Sequence, residues 1–398
     1  MSQSVLAGIK IIELGQLIAG PFAAKMLGEF GAEVIKIEPP GTGDALRKWR
    51  MLHDGTSVWW QVQSRNKKSV SLDLREPEAR DIVRALVKDA DVLIENFRPG
   101  TLEEWGMGWE ELKKINPGLV MLRISGYGQT GPYKDLPGFG VIAEAMGGLR
   151  YLTAEPGRVP VRVGVSIGDT IAALHGVIGI LLALYHRKVN NGRGQVIDTA
   201  LYESVFNVME SLLPEYSVFG AIREPSGSAL PGIAPTNAYR CKDGRHALIA
   251  GNGDGIFKRL MHLIKRPDLA NDPGLAQNDG RAKRADELDA AIGAWASQLT
   301  LDEVTTALAD AKVPAGKIYS VKDIAEDPQY RARDMILRVV SKDGLSLDVP
   351  GIMPKLSETP GAIREAAPRL GEHTDEVLAA LGITAEQRQA MRARGIIS

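Results

Sequence analysis

The sequence predicts an α/β fold built on a parallel β-sheet, and three observations support this prediction. Residues 9 to 125 alternate between short apolar runs typical of strands and longer amphipathic runs typical of helices. Glycine, proline or acidic residues separate many of these runs. The 398 residues are enough for one large domain or two, with room for a sizeable core.

The strand and helix signals follow one another in a regular order. We predict strands over IKIIEL, AEVIKIE, KKSVSLDL, DVLIEN and LVMLRIS. Helices are predicted over GPFAAKMLGEFG, with Pro21 near its first turn and Gly31 after its end, and over EPEARDIVRALVKDA. Ligands of such sheets bind at the carboxyl ends of the strands. Four segments leave those ends: 15–21, 38–44, 95–100 and 125–133.

The pattern changes after residue 224. The stretch EPSGSALPGIAPTN is rich in glycine, proline and serine and predicts a linker or mobile loop. A hairpin is predicted around Asp243 and Gly244, and a helix after a capping Thr300. From residue 331 the sequence predicts a second hairpin, over ILRVVSKDGLSLDVPG, and two closing helices. These changes divide the chain into segments 1–224, 225–330 and 331–398.

Composition argues against several classes of protein. The net charge is −1 and the Lys and Arg residues are spread along the chain, so no nucleic-acid or membrane partner is expected. Cys241 is the only cysteine, which excludes an intrachain disulfide framework and a cysteine metal cluster. The six histidines show no metal-ligand spacing, so no metal is expected. The N-terminal residues lack a signal-peptide pattern, and we expect a cytoplasmic protein.

Familiar nucleotide and hydrolase motifs do not fit this sequence. The turn GQLIAG after the first strand is neither a G-x-G-x-x-G fingerprint nor a P-loop. The chain also contains no G-x-S-x-G nucleophile elbow. The sequence therefore disfavours a dinucleotide enzyme and a serine hydrolase.

The apolar stretch VGVSIGDTIAALHGVIGILLALYHRK, residues 163–188, carries a carboxylate at its head, Asp169. We predict a buried helix here, with an uncharged part too short for the roughly 20 residues that cross a bilayer. Asp169 is a suitable N-cap, worth about 1 kcal/mol, and the N–H groups of the helix start would hold it ionised. A fixed, ionised carboxylate beside Gly168 is also a candidate nucleophile. The pattern alone leaves both roles open.

Motifs across nearly the whole chain resemble one family, the family III CoA-transferases, which include formyl-CoA transferase and the carnitine CoA-transferases. The matching stretches are AGPFAAKMLGEFGAEVIKIEPPGTGD, NKKSVSLDL, IENFRPGTLEEWG, GYGQTGPY, GDT, GRGQVIDTALYES and LGEHTDEVLAALG. One such motif is a weak signal, whereas all of them in this order are highly specific. Ile18, Pro39 and Glu104 depart from formyl-CoA transferase.

The resemblance implies a fold, an assembly and a mechanism. It implies a Rossmann-like large domain formed by both chain ends (1–224 and 331–398), a smaller α+β middle domain (225–330) and an interlocked homodimer. Asp169 matches the catalytic aspartate of the family, which forms an acyl anhydride and an aspartyl-CoA thioester. Acyl-CoA and a small carboxylic acid would be substrates, and no permanently bound cofactor is implied.

The resemblance also implies binding residues. Segments that hold CoA in the family match Leu72, Asp73, Leu74, Arg75, Asn96, Phe97 and Arg98. A flexible lid of the family matches residues 226–233, in which Gly227 and Gly232 would give mobility. Arg47 and Arg50 around Trp49 suggest a dicarboxylate such as succinate, with a solvated basic turn as the alternative interpretation.

Two other functions stay open from the sequence. A racemase branch with the same fold moves the α-proton of a 2-methylacyl-CoA and needs a histidine where this chain has Phe139. Phenylalanine cannot abstract a proton, which disfavours a racemase. A CoA-binding protein without catalysis is the third hypothesis, and the intact Gly-Asp-Thr disfavours it.

Overall fold

The structure is a computed structural model that describes residues 4–398. The chain forms two compact units. The first comprises residues 1–149, 162–210 and 329–398, and the second comprises 150–161 and 211–328. The sequence places the boundaries at 224/225 and 330/331, so residues 150–161 and 211–224 fall in the second unit instead.

The strands are short and most of them lie in the first 200 residues. They are β1 (Lys10–Glu13), β2 (Glu33–Glu38), β3 (Leu52–His53), β4 (Thr56–Ser57), β5 (Lys67–Ser71), β6 (Val92–Glu95), β7 (Val120–Ser125), β8 (Val196–Ala200), β9 (Thr236–Arg240), β10 (His246–Ala250), β11 (Ala315–Lys317), β12 (Ile336–Val340) and β13 (Ser346–Pro350).

The α-helices occur throughout the chain. They are α1 (Ala19–Glu29), α2 (Val58–Gln63), α3 (Pro77–Val87), α4 (Thr101–Glu104), α5 (Trp109–Ile115), α6 (Gly140–Met146), α7 (Leu149–Leu152), α8 (Ile167–Val189), α9 (Leu201–Asn207), α10 (Leu212–Phe219), α11 (Asp254–Leu263), α12 (Pro267–Ala270), α13 (Asn278–Lys283), α14 (Ala285–Ala296), α15 (Leu301–Asp310), α16 (Val321–Glu326), α17 (Pro328–Ala332), α18 (Thr374–Ala380) and α19 (Ala385–Ala393). Short 3₁₀ turns cover Ala45–Lys48 and Pro273–Leu275.

The first unit is built on a six-stranded sheet in the order β5-β2-β1-β6-β7-β8. All five strand pairs are parallel, which confirms the predicted sheet. The chain runs from β1 outwards to β2 and β5, and then crosses back to β6 on the other side of β1. The strand order therefore reverses between β1 and β6, the kind of position where open α/β sheets bind ligands.

Helices cover both faces of this sheet. On one face, alanines of α1 and α8 pack against Ile11, Ile94 and Leu122. On the other face, α3, α5 and the C-terminal helices α18 and α19 pack against residues such as Leu93 and Met121. The C-terminal residues thus share a core with the N-terminal sheet.

Helix α8 is less buried than the sequence predicts. Its small residues face the sheet, and a Cβ on Gly176 would lie only 2.7 Å from a methyl carbon of Leu122, so glycine permits the close approach. Its opposite face is exposed, with Leu182 65% and Tyr185 66% accessible. The predicted buried helix is therefore buried on one face only, because the apolar run supplies two faces and the sheet covers one.

The length and composition of α8 also meet the criterion for a membrane span, with a mean hydropathy of 1.9 over an 18-residue window. Core helices of globular domains meet the same criterion. The sequence argument that the uncharged stretch is too short to cross a bilayer therefore does not distinguish a core helix from a membrane span.

The second unit has its own core. Strands β9, β10 and β11 form an antiparallel sheet, and Asp243 and Gly244 lie in the β9–β10 turn as predicted. Helices α11, α14 and α15 pack on it through residues such as Phe257, Ile292 and Leu308. Thr300 caps α15 in a reciprocal capping box with Glu303, which confirms the predicted helix start.

Candidate active site

A cavity of about 610 Å³ opens at the carboxyl edge of the parallel sheet. Its walls come from the segments after β1, β6 and β7, together with the start of α8. The lining includes Gln16–Ala19, Asn96–Pro99, Ile124–Gly126, Gly138–Val141 and Asp169. This size suits a small-molecule ligand, and the place is the switch point of the strand order.

Side chains hold the β1–α1 turn rigidly at the edge of this cavity. Asn96 accepts a hydrogen bond from the backbone N–H of Gln16 and donates one to its carbonyl. The Asp44 carboxylate accepts the N–H of Leu17, whose φ of 63° lies in the left-handed region. Lys36 is buried and pairs with Asp44 at 2.8 Å. The turn therefore keeps a backbone shape that leucine rarely adopts.

Asp169 lies in the first turn of α8, but it is not the N-cap that the sequence predicts. The helix starts two residues earlier, at Ile167, with Ser166 in the cap position and no side-chain capping bond. The carboxylate of Asp169 instead lies against Gly140, the first residue of α6. A Cβ on Gly140 would overlap Oδ2 of Asp169 and lie 2.9 Å from its Cγ. Glycine at position 140 thus leaves the space that this carboxylate occupies.

The pKa of Asp169 is raised to about 6, mainly by burial and secondly by the nearby carboxylate of Glu144. The backbone N–H of Asp169 and the charge of Arg162 act in the opposite direction. The sequence predicts that the helix start holds this group ionised; burial outweighs that effect, although the carboxylate still predominates at neutral pH. A carboxylate with a raised pKa is more basic and hence a better nucleophile than an exposed aspartate.

Two charged residues beside Asp169 were missed by the sequence interpretation. Glu144 on α6 is 2% exposed and accepts hydrogen bonds from Nε and Nη2 of Arg162, at 3.2 Å each. Arg162 lines the cavity. Glu144 is the only charged residue between positions 139 and 149, and this isolated acid in an apolar helix was the available signal.

Three of the residues predicted to bind CoA line the same cavity as Asp169. Asn96, Phe97 and Arg98 leave the end of β6. The ring of Phe97 packs edge-on against Trp105, with 5.4 Å between centroids. The guanidinium of Arg98 donates a hydrogen bond to the carbonyl of Asp135. Two further cationic side chains, Lys134 and Arg162, also line the cavity.

The other four predicted CoA residues lie outside this cavity, directly after the edge strand β5. Leu72 is 1% exposed and part of the core, while Leu74 packs against that core. Asp73 and the exposed Arg75 form an ion pair at 2.6 Å. Strand β5 is three strands from β6, a separation of about 14 Å at the usual strand spacing.

Arg47 does not lie where a substrate carboxylate could reach it freely. Its guanidinium is 8% exposed, binds both oxygens of Glu38 at 2.8 and 2.9 Å, and stacks on the ring of Trp60. Arg47 is therefore not part of a solvated turn, and its pairing with the buried Glu38 disfavours the other interpretation, a dicarboxylate ligand.

The remaining predicted residues have mixed positions. Trp49 and Phe139 line the cavity, and Phe139 is 67% exposed at the N-cap of α6. Gly227 and Gly232 lie in the second unit with φ values of 62° and 76°, and a β-bridge joins Leu230 to Ile233 on either side of Gly232. The amide of Gly227 donates to the carbonyl of Ala154, so this loop is anchored at one end.

The chain thus combines a parallel sheet with a switch-point cavity that contains a carboxylate. It belongs to CoA-transferase family III, whose model matches residues 6–374. It is an enzyme of that class, and its substrates include CoA thioesters.

Individual relatives show how close this similarity is. The succinyl-CoA–D-citramalate CoA-transferase of Chloroflexus aurantiacus is 46% identical over 394 residues, 98% of each chain. The succinate–glutarate CoA-transferase of Agrobacterium fabrum is 35% identical and covers 94% of this chain and 95% of its own. The crystal structure of a CAIB/BAIF family protein from Brucella suis superposes with a TM-score of 0.83 at 35% identity, covering 96% of this chain and 100% of that one.

Proposed function

We propose that this protein moves CoA from an acyl-CoA donor such as succinyl-CoA to a small dicarboxylic acid, through covalent intermediates on Asp169. The observation that carries the proposal is a partly buried carboxylate of raised pKa inside the switch-point cavity. The two relatives above, named for succinyl-CoA with citramalate and for succinate with glutarate, support dicarboxylic substrates.

The first half of the reaction loads the enzyme. An oxygen of the Asp169 carboxylate attacks the thioester carbonyl, the C–S bond breaks, and CoA leaves as a thiolate. The product is a mixed anhydride between Asp169 and the acyl group. The CoA thiolate then attacks the aspartyl carbonyl, the C–O bond to the donor acid breaks, and an aspartyl-CoA thioester remains.

The second half repeats these steps in reverse order with the acceptor. The acceptor carboxylate attacks the aspartyl-CoA thioester, which releases the CoA thiolate and forms a new anhydride. The thiolate attacks the acyl carbon of the acceptor, and the Asp169 carboxylate is regenerated. No net proton or electron is transferred, so the cycle needs no general base and no redox group.

The residues around Asp169 suit these steps. A carboxylate is a weak nucleophile, so its rate depends on fixed placement, and the contact with Gly140 restricts where it can point. Each attack also creates an oxyanion. The first N–H groups of a helix have no intrahelical partners, and α1 begins at Ala19 on the cavity wall. We assign the oxyanion to donors of this kind.

CoA would lie along the carboxyl edge of the sheet. Asn96, Phe97 and Arg98 contact the thioester arm in the cavity, and the segment Leu72–Arg75, about 14 Å away, holds the nucleotide end. Arg98 offers forked hydrogen bonds to a phosphate group, and Arg75, whose Nε and Nη2 are bound by Asp73, offers its remaining Nη1 group. An extended ligand explains why the two segments lie in separate places.

The proposal also includes a dimeric assembly and a lid over the site. We expect a homodimer, interlocked as in the family, and the exposed apolar face of α8 around Leu182 and Tyr185 is a surface that a second copy would cover. The loop 226–233 is proposed as the lid that excludes water from the anhydride. Its turn at Gly227 and Gly232 provides conformations that other residues rarely adopt.

The decisive experiment traps the covalent intermediate. The enzyme is incubated with succinyl-CoA, treated with hydroxylamine and digested, and mass spectrometry locates a hydroxamate on Asp169. The Asp169→Asn variant and a sample without donor are the controls. An enzyme that forms no adduct and exchanges CoA with no donor among succinyl-, glutaryl-, formyl- and carnitinyl-CoA would refute the transferase mechanism.

The same sample tests the racemase alternative. Within the described residues no histidine lines the cavity. By sequence resemblance, Phe139 stands at the position where the racemases carry their base. We therefore expect no deuterium at the α-carbon of a 2-methylacyl-CoA after incubation in D₂O. Deuterium wash-in without CoA exchange would favour a racemase instead.

A further inference from the structure

Three cationic side chains line the cavity: Arg98, Lys134 and Arg162. They differ in their relation to Asp169. Only the charge of Arg162 lowers the pKa of that carboxyl, so Arg162 is the cation that acts at the acyl end of the cavity. Arg98 follows β6, in the segment proposed to hold CoA, and Lys134 follows β7.

Arg162 is held along one edge of its guanidinium. Nε and Nη2 donate to the two carboxylate oxygens of Glu144, and in residues 4–398 Nη1 donates to no protein atom. The two side chains differ in exposure: Arg162 is 40% exposed and Glu144 is 2% exposed. Because a guanidinium has five N–H donors in a fixed fork, the free end can take a second carboxylate while the first stays bound.

The charges near Asp169 change during the proposed cycle. Before reaction, Asp169 and Glu144 are two carboxylates beside one guanidinium. Once Asp169 is acylated it is neutral, and the cavity loses one of the negative charges that faced Arg162. A dicarboxylic acyl group replaces that charge with its distal carboxylate, whereas a monocarboxylic acyl group does not.

From this geometry we infer that Arg162 binds the distal carboxylate of a dicarboxylic substrate and that Glu144 is the residue that positions Arg162. This inference rests on the proposed function and adds the residue that selects the substrate. It also replaces Arg47, whose guanidinium is already bound by Glu38.

The test compares two donors of the same chain length, succinyl-CoA and butyryl-CoA, which differ in the distal carboxylate. Arg162→Met should lower kcat/KM for succinyl-CoA about 10- to 100-fold, the usual effect of one charge-assisted hydrogen bond. Because loss of Arg162 also raises the pKa of Asp169, both donors are assayed at a pH well above 6, where Asp169 stays ionised. There kcat/KM for butyryl-CoA should fall much less than kcat/KM for succinyl-CoA. Arg162→Lys keeps the positive charge but loses the forked donor geometry. Its kcat/KM for succinyl-CoA should therefore lie between those of the wild type and Arg162→Met.

A matched control separates specificity from general binding. Lys134→Met removes another cation of the same cavity, and kcat/KM should fall by the same factor with both donors. Glu144→Gln keeps an oxygen acceptor for Arg162 but removes the ion pair. Its decrease in kcat/KM should be selective for succinyl-CoA and smaller than the decrease in Arg162→Met.

Several outcomes would overturn the inference. Equal losses for both donors in Arg162→Met would mean that Arg162 serves only Glu144 and Asp169. An unchanged succinyl-CoA rate would mean that another group binds the distal carboxylate. If Arg162→Met fails to fold, as judged by its melting temperature, the lysine variant decides. A folded wild type that transfers CoA from neither donor refutes the proposed function itself, a different result from any change in preference.

Discussion

The carboxylate of Asp169 occupies the space that a side chain on Gly140 would fill. A Cβ at position 140 would overlap Oδ2 and lie 2.9 Å from Cγ of Asp169. The backbone of Gly140 is not in the left-handed region, since its φ is not positive, so the glycine serves this contact and not a turn. The contact brings the first residue of α6 against the first turn of α8.

Gly140→Ala should therefore damage the reaction more than the fold. The added methyl group forces the Asp169 carboxylate into another rotamer, away from the position from which it attacks. We expect kcat to fall at least about 100-fold, since misplacement by about 1 Å can cost this much. Steady-state kinetics and the melting temperature measure the two effects.

Gly255→Ala is the matched control, because Gly255 also lies in the first turn of a helix, α11. Its added Cβ would meet no atom closer than 3.6 Å, an ordinary contact with Arg259. We expect normal kinetics and an equal or slightly higher melting temperature. A Gly140→Ala enzyme as active as Gly255→Ala would show that the position of this carboxylate does not limit the rate.

Asp169→Asn should abolish transfer and stabilise the fold at neutral pH. The pKa of Asp169 is about 6 in the folded protein, whereas an exposed aspartate, as in the unfolded chain, has a pKa of 3.8. A folded pKa above the unfolded one means that ionisation destabilises the native state, and a difference of about two units corresponds to about 3 kcal/mol above pH 6. The neutral amide avoids this cost.

The pH dependence gives the check on this stabilisation. As the pH falls from 7.5 to 4.5, folded Asp169 becomes protonated and the advantage of Asp169→Asn should shrink to roughly one third. Melting temperatures of both proteins at the two pH values measure the change. A difference that is the same at both pH values would show that the carboxyl does not titrate between them.

How far the sequence could predict this molecule differs between fold and site. Strands β1, β2, β6 and β7 were predicted because each contains an apolar run between turn signals, and β5 was predicted within the longer stretch KKSVSLDL. The sixth, β8, was not, because it is a half-exposed edge strand whose sequence, VIDTA, includes polar residues. The other edge strand, β5, is mostly buried and was predicted, so the greater exposure of β8 made it harder to recognise.

The site residues show a further limit. Asp169 and the segment Asn96–Arg98 carry recognisable motifs, whereas the roles of Glu144, Arg162 and Arg47 depend on partners distant in sequence. Glu144 meets Arg162 across 18 residues, and Arg47 also donates to the carbonyl of Pro368, 321 residues away. Spacing in one sequence contains no information on such pairs, so it could not tell a bound arginine from a free one.

Glu144→Gln should move the acid limb of the pH profile to lower pH. Asp169 must be ionised to attack, so kcat/KM should fall as the pH drops through about 6. Two charged groups act on its pKa, Glu144 from α6, which raises it, and Arg162 from the segment before α8, which lowers it. Without the Glu144 charge, burial is opposed by a less neutralised Arg162, and the pKa of Asp169 falls.

Butyryl-CoA is the suitable donor for this profile, because it has no distal carboxylate that would need Arg162. We expect the limb of the wild type near pH 6 and that of Glu144→Gln clearly below it. Identical profiles would contradict an influence of Glu144 on Asp169. A shift to higher pH would contradict its sign.

Arg47→Met should destabilise the protein without changing its donor preference. The variant leaves Glu38 buried, 1% exposed, beside Lys36 and Ser69 but without the guanidinium that binds both of its oxygens. Removal of one partner from a buried ion pair costs about 3–5 kcal/mol. The ratio of kcat/KM for succinyl-CoA to that for butyryl-CoA should stay as in the wild type, because the side chain of Arg47 lies outside the cavity.

Arg338→Met provides the comparison for this loss of stability. Arg338 pairs with Asp348 across the β12–β13 hairpin, and the two side chains are 65% and 38% exposed. Exposed pairs contribute at most about 1 kcal/mol, so its melting temperature should change little. If Arg47→Met melts as high as Arg338→Met, the Glu38 pair is not a structural requirement. If it instead loses its preference for succinyl-CoA while keeping its stability, Arg47 binds substrate after all and the assignment of Arg162 fails.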